Sequence, residues 1–489
     1  MRRWVLSAAL MLVAVPASAK DLYVNNSGSP TCSDATTYAN NDEDSPWCTI
    51  GRAAWGSTTR TSPNTSEAVQ AGDTVYVLAG TYTTTGTELR QIPAYNPANS
   101  GSGSARITFE AVGTVILTQS GTGPVIGSLT RTNVTWRGFT INEIDALGAS
   151  DTGPVVVWDS MGTWIENLTI NGYDAGAMGN NHNGIRLEYS TGTVIRNNVI
   201  FNVLNYGTKH MNGAGIMAYY SSGAIIEHNR IYDCGSGIFI KGGDNQSFTV
   251  RYNEVYETAY GILIQHTDST VGQHKIYQNI SRNNEFGIAA RQYSFRTWIV
   301  NNTVVNNSSA GIQGINWEDP LENLWVYNNI VIQPNNEHFN GGLLHVPNEL
   351  FIDRNWYHSS LRWSINGIAY SSLATWRTAL GGCPGSDNEC DSATGDPGFV
   401  DASEHDYRLQ DESPVRTLGR TITAIHGSDG ETIPAGAYIT GEEIIGPTEG
   451  ETPTPTDPVR WRVRFRAGSL ELGSLAVALA WWLRRRRQA

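Results

Sequence analysis

The segment Gly237-Ile238-Phe239-Ile240-Lys241 is one copy of the motif that decides the fold. The motif is Gly-Ile, any residue, an apolar residue and any residue, and six copies recur at steps of 22 to 31 residues. Repetition at this period is typical of a solenoid. Each copy alternates at strand period, and the Asn-, Gly- and Ser-rich segments between copies leave no room for long helices. The sequence therefore predicts a parallel β-helix. The copies begin at Gly184, Gly215, Gly237, Gly261, Gly287 and Gly311.

A second repeated element is an asparagine between the copies of the first motif. Stacked in successive coils, these side-chain amides can donate to one neighbour and accept from the other, as in other asparagine ladders. Asparagine also tolerates the left-handed backbone of a tight corner. The sequence therefore predicts one structural ladder with no catalytic role. Its expected members are Asn198, Asn229, Asn253, Asn279, Asn302 and Asn329, with Asn167 and Asn355 as outer members.

The chain resembles the secreted right-handed parallel β-helix proteins of the pectin-lyase-like superfamily. The resemblance rests on the repeats, on Gly72-Asp73-Thr74-Val75-Tyr76-Val77 at the start, and on Gly395-Asp396-Pro397-Gly398-Phe399-Val400 near the end. It covers about residues 21–440. It implies an all-β, single-stranded, right-handed parallel β-helix with N- and C-terminal caps. It says little about activity, because this fold carries lyases, hydrolases, epimerases, esterases and adhesins.

The formal net charge of −13 argues against general binding of nucleic acid or anionic membranes. Five cysteines following an apparent export signal point to an oxidising compartment. Cys32 and Cys48 bracket one loop, Cys383 and Cys390 bracket another, and both pairs are predicted to be disulfides. Cys234 is left over and is expected to be a small, packed, unbonded residue.

Both ends of the chain carry targeting features. Residues 1–19 have the basic start, apolar run and small-residue cleavage site of a signal peptide. An acidic Pro/Thr-rich linker leads to a short apolar run that ends in Arg484-Arg485-Arg486-Arg487. This ending resembles bacterial C-terminal sorting tails, although Ala467-Gly468-Ser469 stands where a glycine pair is expected. The alternative is a plain membrane anchor. We expect an exported, monomeric, envelope or extracellular protein whose tail meets a sorting protease or the membrane.

The predicted organisation has six segments. They are a signal peptide (1–19), an N-terminal capping module (20–105), β-helix repeats (106–358), C-terminal coils with a cap (359–445), the linker (446–459) and the tail (460–489).

Candidate chemistry lies on the outward positions of the Gly-Ile motif. The fifth position is predicted to form one row across the coils, and the third position an apolar strip that is either a platform for sugar rings or is covered by a loop. The fifth-position row is Glu188, Tyr219, Lys241, Gln265, Arg291 and Ile315, and the third-position row is Arg186, Met217, Phe239, Leu263, Ala289 and Gln313.

β-Elimination on a uronic-acid polysaccharide needs a neutralised carboxylate, a base for the adjacent proton and an acid for the leaving oxygen. Lys241 is the candidate base, Arg291 the neutraliser and Tyr219 the acid, with His266 as an alternative base. Because an exposed Lys or Arg on a solenoid is usually only solvated, this row stays a hypothesis. The residues expected to bind substrate are Glu188, Phe239, Gln265, Arg186 and His210.

Two other functions remain open: a non-catalytic polysaccharide-binding surface protein or adhesin, and a glycoside hydrolase with a widely spaced carboxylate pair. No cofactor is predicted with certainty. Calcium is kept open through the pairing of Glu188 with Asp174.

Overall fold

The computed structural model describes residues 19–142, 144, 152–173, 181–205, 208–243, 245–267, 272–294, 296–315, 323–333, 335–342, 350–359, 362–383 and 388–440. The predicted signal peptide before residue 19, the linker and the tail lie outside this part of the chain. None of the described helices is long and apolar enough to cross a bilayer.

The fold is the predicted right-handed parallel β-helix, with three strands in each coil. The Gly-Ile motifs form the first set of strands, called here the Gly-Ile sheet. Its last strand is antiparallel to the one before it. In order, the strands are Ile126–Leu129, Val155–Trp158, Asn183–Glu188, Ala214–Tyr219, Ser236–Lys241, Tyr260–Thr267, Phe286–Ser294, Ala310–Ile315, Glu337–Gly342, Trp363–Ile365 and Ile368–Tyr370.

Two further sets of parallel strands complete the coils. The second sheet contains Val134–Arg137, Trp164–Glu166, Val194–Arg196, Ile225–Glu227, Thr249–Arg251, His274–Tyr277, Thr297–Val300, Leu324–Tyr327 and Leu350–Asp353. The third sheet contains Thr140–Asn142, Thr169–Asn171, Val199–Phe201, Arg230–Tyr232, Glu254–Tyr256, Ile280–Arg282, Thr303–Val305, Ile330–Ile332, Trp356–Tyr357 and Ala393–Thr394. Both sheets continue at the N-terminal end into Asp21–Val24, Thr74–Thr85 and Ile107–Ser120.

The interior is filled by two inward residue columns from the Gly-Ile sheet and one from each of the other two sheets. Ile238, Ile240, Val250 and Val255 have no exposed surface. The motif glycine is required by this packing, because a Cβ on Gly237 would lie 2.2 Å from Val255 Cγ1. The repeated glycine therefore marks where the backbone passes closest to the core.

The asparagine ladder is present at the corner between the second and third sheets. Asn253 donates from Nδ2 to Asn279 Oδ1 at 3.0 Å and accepts from Asn229 Nδ2 at 2.9 Å. The chain of side-chain bonds runs from Asn198 to Asn355, which confirms Asn355 as a member. The expectation for Asn167 is wrong by one residue. Leu168 occupies the ladder register, and its N–H donates to Asn198 Oδ1, whereas Asn167 takes the left-handed backbone just before that position.

The other two corners also carry ladders, which the sequence analysis missed. At one corner, backbone N–H groups donate down the series Ser160, Ser190, Ser221 and Asn245. At the other, they donate down the series Thr258, Asn284, Asn307 and Gln333. Serine, threonine and glutamine share the role with asparagine here, so no single residue type repeats in the sequence.

Caps close both ends of the solenoid. At the N-terminal end, helix Ile50–Trp55 begins at Thr49, whose hydroxyl accepts from Arg52 N, and this helix buries Ile50 and Ala53. The predicted disulfides Cys32–Cys48 and Cys383–Cys390 are both formed, and Cys234 is a buried free thiol. A 3₁₀ turn at Tyr38–Asn40 completes this end.

The C-terminal cap packs along the outer side of the third sheet as well as at the last coil. Asn301 and Asn328 donate to backbone oxygens of Pro434 and Arg420. Tyr407 and Ala437 are buried against Ile280. Its elements are helices Leu373–Ala379 and Thr423–His426, the 3₁₀ turn Pro414–Thr417, the paired strands Phe399–Asp401 and Asp406–Leu409, and the paired strands Gly419–Arg420 and Thr432–Ile433.

Candidate functional site

The predicted fifth-position row exists in the strand register of the Gly-Ile sheet. Glu188 pairs with Tyr219, Lys241 with Gln265, and Gln265 with Arg291. Arg291 in turn pairs with Ile315. Parallel pairing without a slip places these side chains about 4.8 Å apart from coil to coil. The solenoid thus brings the candidate residues onto one face.

The third-position row is buried. Met217, Phe239 and Leu263 have no exposed surface, and Phe239 therefore offers no ring to a sugar in this structure. These side chains form an apolar layer on the outside of the sheet, with Tyr260 and Ala289, that is separate from the solenoid interior. Of the two alternatives left open by the sequence, the structure matches the covered strip.

Part of the cover is the insertion between the third sheet and the strand Ala214–Tyr219. Met211 packs against the apolar layer, and its carbonyl accepts from Ser236 Oγ at 2.8 Å. An ion pair between Lys209 Nζ and Asp233 Oδ1, 3.1 Å apart, also holds the insertion. His210 is exposed in this insertion, and its Nδ1 accepts from Asn212 N at 3.4 Å.

Arg186 and Glu188 form a buried ion pair. Arg186 Nε lies 2.8 Å from Glu188 Oε2, and Arg186 Nη1 donates to Asn183 Oδ1 at 3.0 Å. Both side chains are at most 5% exposed. Asp174, the expected calcium partner of Glu188, lies outside the described residues. Within the described part of the chain, no group of three or more His, Cys, Asp or Glu side chains is arranged to hold a metal.

Lys241 is half-buried at the centre of the row. Its Nζ lies 5.3 Å from the centre of the Phe239 ring and 5.9 Å from that of Tyr219. The same Nζ lies 3.4 Å from Asn212 Oδ1. The Arg186 guanidinium lies 4.6 Å from the Tyr219 ring centre. Tyr219 therefore has two cations within the distance at which an aromatic ring attracts a positive charge.

The residues beyond Lys241 are less accessible. Gln265 Nε2 donates to Gln292 Oε1 at 2.9 Å, and His266 follows in a left-handed turn, half-buried. Arg291 is 7% exposed, and its Nη1 donates to Tyr260 Oη at 2.6 Å. Burial raises the pKa of the Tyr260 hydroxyl, an effect that the Arg291 charge opposes. Arg291 thus belongs to the covered layer.

An exposed aromatic edge, missed in the sequence analysis, runs beside the row. Tyr189 and Tyr220 are 45% and 42% exposed, and their rings stack with centres 5.1 Å apart. Trp158 extends the line, 5.8 Å from Tyr189, and the Arg90 guanidinium lies 5.0 Å from the Trp158 ring. The available signal was the residue directly after the fifth position, which is Tyr in Glu188-Tyr189 and again in Tyr219-Tyr220.

Comparison with known proteins identifies the repeats. A family model described as "Right handed beta helix region" matches residues 153–331. No curated protein sequence matches the chain.

Several solved structures are similar to the chain at low sequence identity. A pectate lyase has 13% identity and a TM-score of 0.49, covering 86% of this chain and 97% of its own. A rhamnogalacturonan lyase has 15% identity and a TM-score of 0.48, covering 69% and 87%. The A-module of an Azotobacter vinelandii mannuronan C-5 epimerase has 12% identity and a TM-score of 0.43, covering 67% and 91%. These similarities concern the solenoid architecture alone.

Proposed function

We propose that the protein is a carbohydrate-active β-helix protein that holds a polysaccharide strand along the edge formed by Trp158, Tyr189 and Tyr220. The observation that carries this proposal is the exposed, stacked Tyr189–Tyr220 pair directly beside Tyr219 and Lys241. Carbohydrate and other ligand sites combine aromatic surface with a few placed polar groups. The body is acidic overall, so a local cation at this edge matters for an acidic sugar.

The direction of the strand follows from the solenoid. Successive aromatic residues come from successive coils, with ring centres 5.8 and 5.1 Å apart. A strand running parallel to the solenoid axis would meet Trp158, Tyr189 and Tyr220 in turn and then reach Lys241 on the following coil. Binding across several coils would position one sugar unit at Lys241.

The chemistry we propose is β-elimination on a uronic-acid-containing polysaccharide. Lys241 Nζ removes the proton from the carbon next to the carboxylate, the bond to the leaving oxygen breaks, and a carbon–carbon double bond forms. Tyr219 donates its proton to the leaving oxygen. As the base, Lys241 must act as the neutral amine, which partial burial favours and the cation-attracting faces of the Phe239 and Tyr219 rings oppose.

Among the three steps, neutralisation of the substrate carboxylate has the weakest structural support. Arg291 lies two coils past Lys241 and is 7% exposed, so it meets substrate only when the covering layer opens. This burial favours a second candidate function. A non-catalytic polysaccharide-binding protein would use the same aromatic edge and would need neither Arg291 nor the buried Phe239.

A panel of acidic and neutral polysaccharides separates the two functions. The elimination proposal expects products that absorb in the ultraviolet, and it expects Lys241→Ala to reduce turnover at least 100-fold while binding is retained. Lys275→Ala, which changes an outward lysine of the second sheet, is the matched control and should keep full turnover. Retention on immobilised polysaccharide without any cleavage would support the binder and reject the lyase.

We further propose that the protein is exported and that its C-terminal tail meets a sorting protease or the membrane. Support comes from the two disulfides, which persist in oxidising compartments, and from the residue pattern at both ends of the chain. Mass spectrometry of the protein from its native host tests this. An N-terminus retaining Met1 would contradict cleavage of a signal peptide. A C-terminus at Ala489 would contradict cleavage of the tail by a sorting protease, and the tail would then be interpreted as a membrane anchor.

A further inference from the structure

A groove runs along the corner where the third sheet turns into the Gly-Ile sheet, and we call it the corner groove. It precedes the Gly-Ile strands, whereas the aromatic edge follows them. One exposed residue from each of three successive coils forms its first side, directly after a third-sheet strand. These residues are Glu257, Asn283 and Asn306, all in left-handed backbone. At about 4.8 Å per coil, the first and the third lie about 10 Å apart.

The floor of the corner groove consists of ladder residues. Thr258 and Asn284 are buried there, and Asn284 Oδ1 accepts from Thr258 N at 3.0 Å and from Thr258 Oγ1 at 2.8 Å. Glu285 and Ser308 are exposed beyond the ladder and complete the lining. Together with the first side, they enclose a cavity of about 380 Å³.

A second cavity, of about 360 Å³, continues the corner groove toward the C-terminal cap. Asn306 lines both cavities, so the two adjoin. Ile332 and Phe399, which pack together, give the second cavity an apolar wall. His358 and Asp396 add polar groups to it. Each cavity has the size of a small-molecule site, and the pair is long enough for several units of a polymer.

The charges along the corner groove disfavour an acidic ligand. Glu257, Glu285 and Asp396 contribute three carboxylates to the lining. Among the described residues that line the two cavities, Lys209 is the one lysine or arginine, and its ammonium is paired with Asp233 at 3.1 Å. A uronic-acid strand would therefore meet charge of its own sign.

The side chains along the first cavity retain hydrogen-bonding capacity for a ligand. Within the described part of the chain, five of them make no side-chain hydrogen bond or ion pair: Glu257, Asn283, Glu285, Asn306 and Ser308. Carboxylates and amide oxygens accept from sugar hydroxyls, and amide N–H groups donate to them. The lining thus offers both kinds of partner that a hydroxyl group needs.

We propose that the corner groove binds a neutral polysaccharide strand along the solenoid axis, as a second carbohydrate site. An apolar wall combined with a few placed polar groups is the usual composition of such a site. Because the groove presents equivalent positions on successive coils, a polymer of repeating units meets similar groups at each step. The proposal does not depend on the aromatic edge holding a ligand, since the two sites share no residue.

A basic peptide is the other ligand that three carboxylates could attract. The centre of the corner groove favours the sugar, because Asn283 and Asn306 are neutral and both donate and accept. Lysine and arginine side chains only donate, so they would leave the amide N–H groups of both asparagines without acceptors.

Removing the two amides tests the proposal in the full chain. Asn283→Gly combined with Asn306→Gly deletes both side chains without backbone strain, because glycine readily adopts their φ angles of 54° and 55°. Affinity electrophoresis in gels containing galactomannan, xyloglucan or dextran measures binding. For the neutral polysaccharide that retards the parent, we expect an affinity weaker by about tenfold or more. Unchanged affinity, or no retardation of the parent in any of the three gels, would overturn the proposal.

Asn197→Gly is the matched control for the two glycine substitutions. Asn197 also has a left-handed backbone, with φ of 56°, but lies at the corner between the second and third sheets, so its variant should bind like the parent. Weakening equal to that of the double variant would refute the assignment to the corner groove. Added polygalacturonate oligomers, which belong to the ligand class proposed for the aromatic edge, should not displace the neutral polysaccharide. Displacement would mean one shared site and would reject the second.

A second variant separates the sugar from the basic peptide. Glu257→Gln combined with Glu285→Gln removes two charges, and its amide oxygens still accept from hydroxyls, so most of the affinity for the neutral polysaccharide should remain. Oligolysine should not displace the polysaccharide from the parent. If oligolysine does displace it, and this effect is lost in the glutamine variant, the corner groove binds a basic peptide and the proposal is wrong.

Discussion

The outward sides of the second sheet and of the Gly-Ile sheet are built on different principles. On the second sheet, one outward column alternates in charge through Glu110, Arg137, Glu166, Arg196, Glu227 and Arg251. Four ion pairs along this column have N–O distances of 2.6 to 3.1 Å, and their arginine side chains are 21–29% exposed. On the Gly-Ile sheet, the outward third-position side chains Met217, Phe239 and Leu263 are fully buried.

The difference shows that pointing away from the solenoid interior does not make a residue accessible. The charged column stabilises the stack while it stays in contact with water. The apolar column instead needs a cover, which the insertion carrying Met211 supplies in part. Accessible aromatic side chains beside the Gly-Ile sheet therefore lie at its edge, where Tyr189 and Tyr220 are exposed.

The largest effect is expected for Phe239→Ala. Removing a fully buried ring leaves a cavity in the outer apolar layer and should lower the free energy of unfolding by about 3–5 kcal/mol. Arg251→Met on the second sheet is the contrasting variant, and it should cost less, about 1–2 kcal/mol, because Glu227 and the Tyr277 hydroxyl each lose one partner but no cavity is left in an apolar layer. Urea denaturation measures both. Similar small losses for the two variants would mean that the Gly-Ile sheet is not covered.

A loss of about 3 kcal/mol or more is expected for Asn253→Leu. Leucine at this position fits the core in size but removes the acceptor of Asn229 N and the side-chain donor to Ile226 O and Asn279 Oδ1. Asn142→Leu changes an exposed asparagine of the third sheet and should be nearly neutral. Equal stability of the two variants in urea would refute the ladder as a stabilising element.

The sequence was sufficient to predict the fold and the strand registers, but it did not predict which outward side chains are exposed. The Gly-Ile motif recurs because the backbone passes close to the core at Gly237 and at the matching glycines. The asparagines recur because they form the amide ladder. Both constraints therefore appear as patterns in the sequence. Burial of Phe239 depends on a loop packing back over the sheet, which no local pattern records. The same limit applies to Arg291, whose hydrogen bond to Tyr260 joins neighbouring coils.

The C-terminal cap is expected to lose stability as pH rises. Glu389 is fully buried and accepts from Tyr357 Oη and Trp376 Nε1, and burial raises its pKa to about 7 from an ordinary 4.5. The folded state therefore holds the proton more tightly, so this stabilisation is complete below about pH 4.5 and is lost as pH rises through 7. The loss amounts to about 3 kcal/mol.

Glu389→Gln isolates this contribution, since glutamine keeps the shape and does not titrate. The free energy of unfolding of the parent protein minus that of the variant should fall between pH 5 and pH 8. A difference that stays constant over this range would show that Glu389 is not held in its neutral form.

Polysaccharide binding by Tyr220→Ala shows whether the Trp158–Tyr189–Tyr220 edge holds the ligand. Tyr252→Ala is the matched control, because Tyr252 also sits in a left-handed turn and stacks on a neighbouring ring, but at the corner between the second and third sheets. Affinity electrophoresis in gels containing the polysaccharide that retains the parent protein measures both. We expect at least a tenfold weaker affinity for Tyr220→Ala and unchanged affinity for Tyr252→Ala. Equal affinities for the two variants and the parent would contradict binding at the Trp158–Tyr189–Tyr220 edge.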